Sequence, residues 1–131
     1  MHEDEVRRQI EANVRLAIDL LGPLGEDGEF GLNRDSIELV EGFIEGRRSA
    51  PGFDLDELGA LPSVLGSFLG ACLIEATGGV WELDGDLGWS VRFPNGNAAY
   101  PFAKVGKQFA EGRGDSILAF YDVAVAAISS R

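Results

Sequence analysis

Gly78-Gly79-Val80-Trp81-Glu82-Leu83-Asp84-Gly85-Asp86-Leu87-Gly88-Trp89-Ser90-Val91-Arg92-Phe93 decides how the rest of the chain is read. The paired glycines stop the helix that precedes them. Two runs of alternating apolar and polar residues follow, and such alternation marks strands with one buried face. A three-residue loop, Asp84-Gly85-Asp86, sets Leu83 opposite Leu87 and Trp81 opposite Trp89. In that register Trp81, Leu83, Leu87, Trp89, Val91 and Phe93 share one side, while Glu82, Ser90 and Arg92 share the other. Asn95-Gly96 is a two-residue turn signal. It folds residues 97–100 back as a third strand, with Ala98 and Tyr100 on the tryptophan face, and Pro101 ends that strand. A meander with one apolar face needs helices to cover it.

The flanking sequence supplies them. Residues 62–77 hold Val64, Leu65, Phe68, Leu69, Cys72, Leu73 and Ala76, a segment apolar nearly all round and so expected at the centre. Gly66 and Gly70 lie four apart on it, each costing about 1 kcal/mol of helix propensity relative to alanine. Close approach of another backbone is the expected return. Pro62 suits the first turn of this helix. Upstream, Val6, Ile10, Val14, Ala17, Ile18 and Leu21 recur at helical spacing over 3–21, with Glu3/Arg7, Asp4/Arg8 and Glu11/Arg15 on the wet side. A Gly-rich acidic loop follows. A second helix is predicted over 34–46, with Asn33 or Asp35 as its cap and Ile37, Val40 and Ile44 inward. Glu38, Glu41 and Glu45 are its exposed acids, and Gly46 is its stop. Downstream, Phe102, Val105 and Phe109 point inward from a helix over 101–111, with Lys104 and Lys107 turned away. Asp115 caps a closing helix over 116–129 with Ile117, Tyr121, Ala124 and Ile128 buried. The fold expected is α+β, about five helices packed on one face of a small antiparallel three-stranded meander, in a single domain over 1–131.

Charge narrows the partners. The 131 residues carry a formal net charge of −11. Residues 1–62 contain 15 acids against 6 bases, and residues 63–131 contain 7 against 5. The negative field therefore belongs to the N-terminal half. It disfavours nucleic acid and anionic lipid, and it suits a basic protein. The chain has two lysines, nine arginines and 18 glycines, a bias expected of a GC-rich bacterial genome. One cysteine, Cys72, rules out a disulfide within the chain and reads as a buried thiol. No run reaches the ~20 apolar residues of a membrane span. The acidic start, Met1-His2-Glu3-Asp4-Glu5, is unlike a signal peptide. A cytoplasmic protein is expected.

Catalytic apparatus is hard to assemble. His2 is the only histidine, so neither a Ser-His-Asp nor a Cys-His set forms without it. Zinc is excluded on the same count. Asp84-Gly85-Asp86-Leu87-Gly88 starts like a calcium loop, but Gly88 stands where an oxygen ligand is wanted and Asn95 replaces the closing glutamate. Neither metal nor cofactor is expected. Glu75 and Glu82 are the one carboxylate pair that acid–base chemistry could use, if burial split their pKa values. Pairing of Glu82 with Arg92 across the strands competes with that reading.

Residues 63–121 resemble a family of small uncharacterised bacterial domains. The resemblance rests on Leu65-Gly66, Leu69-Gly70, Gly78-Gly79-Val80-Trp81-Glu82 and Tyr100-Pro101-Phe102-Ala103-Lys104-Val105-Gly106-Lys107. In that family a helix with paired glycines runs into a Gly-x-Trp strand, and a Pro-Phe-x-x-Val-x-Lys helix follows the sheet. These motifs are structural. The resemblance implies no activity.

The function expected is therefore a non-enzymatic protein-interaction domain, of the size and acidity of bacterial immunity proteins. A basic protein partner is expected at Glu26, Asp27, Glu29, Glu38, Glu41 and Glu45, and a homodimer is compatible with this reading. An alternative is a small-ligand or peptide pocket at the hairpin, formed by Trp81, Trp89, Arg92 and Tyr100. A further alternative is an enzyme with Glu75 and Glu82.

Overall fold

A computed structural model of the chain describes residues 2–25, 29–84 and 88–129. Among them the order is α1 (His2–Leu21), α2 (Arg34–Ser49), α3 (Leu61–Thr77), β1 (Val80–Asp84), β2 (Gly88–Arg92), β3 (Ala98–Ala99), α4 (Pro101–Glu111) and α5 (Ile117–Ser129). The architecture is α+β, with five helices and a three-stranded antiparallel sheet in the order β1-β2-β3.

α3 is central, as its composition requires. Every residue from Val64 to Gly70 is buried on it, and Cys72, Leu73 and Thr77 continue the buried run. It touches each of the other four helices and both long strands. α1 lays Ile10, Ala17 and Leu21 against the core, α2 adds Ile37, Val40 and Ile44, and α4 and α5 add Val105, Phe109, Ile117 and Tyr121. Phe30, from the loop after α1, stacks on Phe68 with ring centroids 5.2 Å apart. Gly78, at φ +76°, closes α3 by donating its N–H to Ile74 O at 2.9 Å.

The hairpin keeps its predicted faces but not its register. Trp81 pairs with Val91, Leu83 with Trp89 and Asp84 with Gly88, so the loop lies one residue further along than expected. Each indole thereby faces a smaller side chain instead of the other indole. Because the partner of each residue moves by two, the tryptophan face survives intact. The expected place of Leu87 on that face lies outside the described residues. The second turn differs too. Pairing of Val91 with Ala99 and of Arg92 with Ala98 puts Ala99 on the tryptophan face, where Ala98 and Tyr100 were expected. A two-residue Asn-Gly loop would have placed Pro94 in the ladder without an N–H to give. The turn instead spans Pro94, Asn95 and Gly96, with Gly96 N donating to Phe93 O at 2.9 Å and Gly96 at φ +90°.

Two helix boundaries differ for local reasons, and of the two caps offered for α2 one is used. α2 runs through Gly46 to Ser49, because the first true obstacle is Pro51: Ala50 before it is extended, at ψ 142°. Asn33, not Asp35, caps α2 by accepting from Ser36 N at 2.9 Å. At α5 the side chain of Ser116, not Asp115, accepts from Ala119 N at 3.0 Å. Asp115 is drawn away to Lys104 at 3.3 Å.

Candidate functional site

The acids of α2 divide into two groups that point in different directions. Glu41 and Glu45 were expected outside and are turned inward, whereas Glu38 is exposed. Glu41 is only 7% exposed. Its Oε1 accepts from Ser116 Oγ at 2.5 Å and from Leu118 N at 3.2 Å, and its Oε2 lies 3.6 Å from Arg113 Nε. It therefore satisfies a free amide of the first turn of α5, where the helix dipole also favours a negative charge. Glu45 accepts from Arg48 Nη1 at 2.9 Å and from Gln108 Nε2 at 3.0 Å. Gln108 is fully buried and its Oε1 accepts from Ile117 N at 2.8 Å. Burial pushes the Glu45 carboxyl up, but the hydrogen bonds from Gln108 and Arg48 and the charges of Arg48 and Arg113 outweigh it and leave it below its ordinary value. These residues tie α2, α4 and α5 together, and their oxygens are already occupied. Glu29 is exposed. Glu26 and Asp27 lie outside the described residues.

Beyond those two acids, α2 carries a partly buried apolar strip among exposed polar residues and glycines. Leu39 and Phe43 stand on it one turn apart, and Gly42 and Gly46 leave a channel beside them. An exposed Leu24 contributes from the loop after α1, and Glu38 and Arg47 form the rim. Together these residues line a cleft of about 540 Å³. The Arg47 guanidinium sits 6.0 Å from the Phe43 ring centroid. Among the described residues, no atom beyond the chain neighbours and the helix's own backbone lies within 4 Å of a Cβ built on Gly42 or Gly46. Leu16 and Leu20, also exposed, lie on α1 within eight residues of Leu24. In the sequence Gly46 is expected only as a helix stop, and Gly42, Leu39 and Leu24 carry no assigned role. Their signal was two glycines at i,i+4 on the side of a helix opposite its buried stripe.

The hairpin residues serve the fold. The Trp81 ring fills the space over Gly70 and lies 5.7 Å from the Phe102 ring. Trp89 is capped by the Arg7 guanidinium at 5.0 Å, and Arg7 also donates to Trp81 O at 3.2 Å. Arg7, expected in water, is thus half-buried against the hairpin while still 3.5 Å from Glu3. Arg92 binds Glu82 at 2.6 Å and Gly96 O at 2.7 Å. Trp81, Trp89 and Arg92 line none of the clefts described for this chain, whereas Tyr100 lines one at the start of α4. None of the described clefts is lined by Trp81, Trp89, Arg92 and Tyr100 together.

The same contacts bear on the carboxylate pair. Glu82 is committed to Arg92, and Glu75 is exposed on the last turns of α3. Cys72 is fully buried, and burial pushes its thiol up to about 12, far from the thiolate that a nucleophile needs. Among the described residues no cluster of three His, Cys, Asp or Glu side chains is placed to hold a metal ion. Of the calcium-like stretch Asp84–Gly88, positions 85–87 lie outside those residues. No helix among them is long and apolar enough to cross a membrane. In comparisons with protein-family models, with curated proteins and with solved structures, the chain finds no match.

Proposed function

We propose that the chain is a non-enzymatic protein-interaction domain whose α2 cleft receives a basic amphipathic helix of a partner protein. The carrying observation is the pair Gly42 and Gly46, which face open space on the outside of a helix. Each costs about 1 kcal/mol relative to alanine there, and nothing among the described residues occupies that room. An incoming helix needs it, because a channel without Cβ atoms lets its side chains seat between Leu39 and Phe43. The charge of the partner follows from the surroundings. The N-terminal 62 residues carry 15 acids against 6 bases, and exposed Glu38 stands at the rim. This size and acidity suit a toxin-neutralising (immunity) protein of bacteria, for which the partner is a basic toxin.

The test uses capture from native lysate at low salt, identification of the captured protein, and binding of its basic helical segment as a synthetic peptide. Gly46→Leu fills the channel while improving helix propensity, so it blocks binding without unfolding the chain. Glu38→Lys reverses the rim charge. We expect each variant to weaken the peptide about tenfold or more, and added salt to weaken it further. A peptide that binds Gly46→Leu as well as the parent chain would sink the proposal.

A further inference from the structure

A second cleft shares no lining residue with the α2 channel. It runs between β3, the first turns of α4 and the outer face of α5. At one end Ala98, Ala99, Tyr100, Ala103, Lys104, Lys107 and Phe120 line about 300 Å³. At the other, Phe93, Ala99, Phe120, Val123, Ala124 and Arg113 line about 380 Å³. The two ends share Ala98, Ala99, Lys104 and Phe120 and so adjoin one another. Small-molecule sites typically occupy ~300–1,000 Å³.

We propose that this cleft binds a single-chain amphiphile: an organic anion with a hydrocarbon tail. The charge distribution is the first argument. In a chain of net charge −11 both lysines and one arginine border this cleft. Asp115 holds Lys104 at 3.3 Å, and the Lys104 ammonium lies 5.9 Å from the Phe120 ring centroid. Arg113 leans on Glu41 at 3.6 Å. Lys107, one turn after Lys104 and exposed, has no ion pair among the described residues. It is the head-group anchor. The start of α4 adds to it. Tyr100 provides no side-chain cap, so the amides of Phe102 and Ala103 have no acceptor within the helix, and Ala103 lines this end of the cleft. The tail end is apolar and wet. Val123 is 70% exposed beside Phe93, Ala99 and Phe120, and a bound hydrocarbon would remove that surface from water.

The test is calorimetric titration of the full chain with decanoate and decyl phosphate, below their micelle concentrations, with amide shifts followed by NMR. Decanol, acetate and inorganic phosphate serve as controls. We expect one-to-one binding of at least one anionic amphiphile, with shifts at Ala98, Ala103, Lys107, Ala119 and Val123. Preference for decanoate or for decyl phosphate identifies the natural head group. Lys107→Glu and Val123→Glu, both on exposed helix positions, should each weaken it about tenfold or more. Decanol binding as well as decanoate, failure of every anion to bind, indifference to both variants, or shifts confined to Leu39 and Phe43 would each overturn the proposal.

Discussion

Gly70 and the ring of Trp81 exclude one another: a Cβ built on Gly70 would lie 2.5 Å from Trp81 Cζ2 and 3.0 Å from Cζ3. The glycine that weakens the central helix makes the slot in which the first tryptophan of the hairpin is seated. Gly66, one turn earlier, does the same for Phe102, whose Cδ1 would lie 2.5 Å from an added Cβ. The paired glycines therefore admit two aromatic rings, one from β1 and one from α4, and Phe102 also brings its backbone close, with Cα at 3.0 Å.

Gly70→Ala should destabilise the chain although it improves helix propensity. Overpacking costs about 1–3 kcal/mol, the propensity gain returns up to about 1 kcal/mol, and the ring cannot retreat because Phe102 backs it. A net loss of about 1–2 kcal/mol in urea denaturation is expected. The same substitution at Gly42 meets open space and should stabilise by about 0.5–1 kcal/mol. Equal effects at the two sites would show that Trp81 does not occupy the slot.

Glu41 should behave as a structural residue in spite of its charge. Glu41→Ala leaves Leu118 N and Ser116 Oγ without their acceptor, and a loss of about 2–3 kcal/mol is expected. Amide exchange in the first turn of α5 should accelerate more than exchange in α1. Glu38→Ala, on the exposed face of the same helix, should stay within about 0.5 kcal/mol.

Glu45 sets a pH dependence whose sign follows from its lowered carboxyl. A carboxyl bound more tightly as its anion in the folded chain adds stability above its unfolded value of about 4.5. That contribution is lost as the pH falls through the folded value. The stability difference between the parent chain and Glu45→Gln should therefore be largest near neutrality and shrink as the pH falls below about 4.5. A difference that grows on acidification would contradict the Gln108 and Arg48 contacts.

Cys72 should be inert in the folded chain. Burial holds its thiol near 12, so an alkylating reagent at about pH 8 finds little thiolate and no access. Labelling should follow global unfolding and accelerate in step with urea. Rapid labelling without denaturant would show that the thiol of α3 does not face the core.

The helices and strands were legible because each is written in a local period. The run from Val64 to Leu73 announces a helix buried all round, and alternation from Trp81 to Phe93 announces a one-sided hairpin. The hairpin register was not legible. Asp84-Gly85-Asp86 and the loop one residue later are both acceptable three-residue connections, and the local sequence does not separate them. The place of Glu41 was half legible. It lies four residues after Ile37 and three before Ile44, on the buried stripe of α2, yet its charge suggests water. The donors that make burial tolerable, Ser116 Oγ and Leu118 N, are 75 and 77 residues away.

By itself the sequence determined which segments form helices, which face of the hairpin is apolar, which helix is central and which half of the chain is acidic. All of these depend on the order of residues within one element or on simple composition. Tertiary structure alone decided that Glu41 and Glu45 turn inward, that Gly66 and Gly70 make room for aromatic rings, and that Gly42 and Gly46 open a channel outward. It also decided that both lysines border an apolar cleft. The physical reason is the same in each case: what a carboxylate, a missing Cβ or an ammonium group does depends on the atoms brought against it from distant parts of the chain.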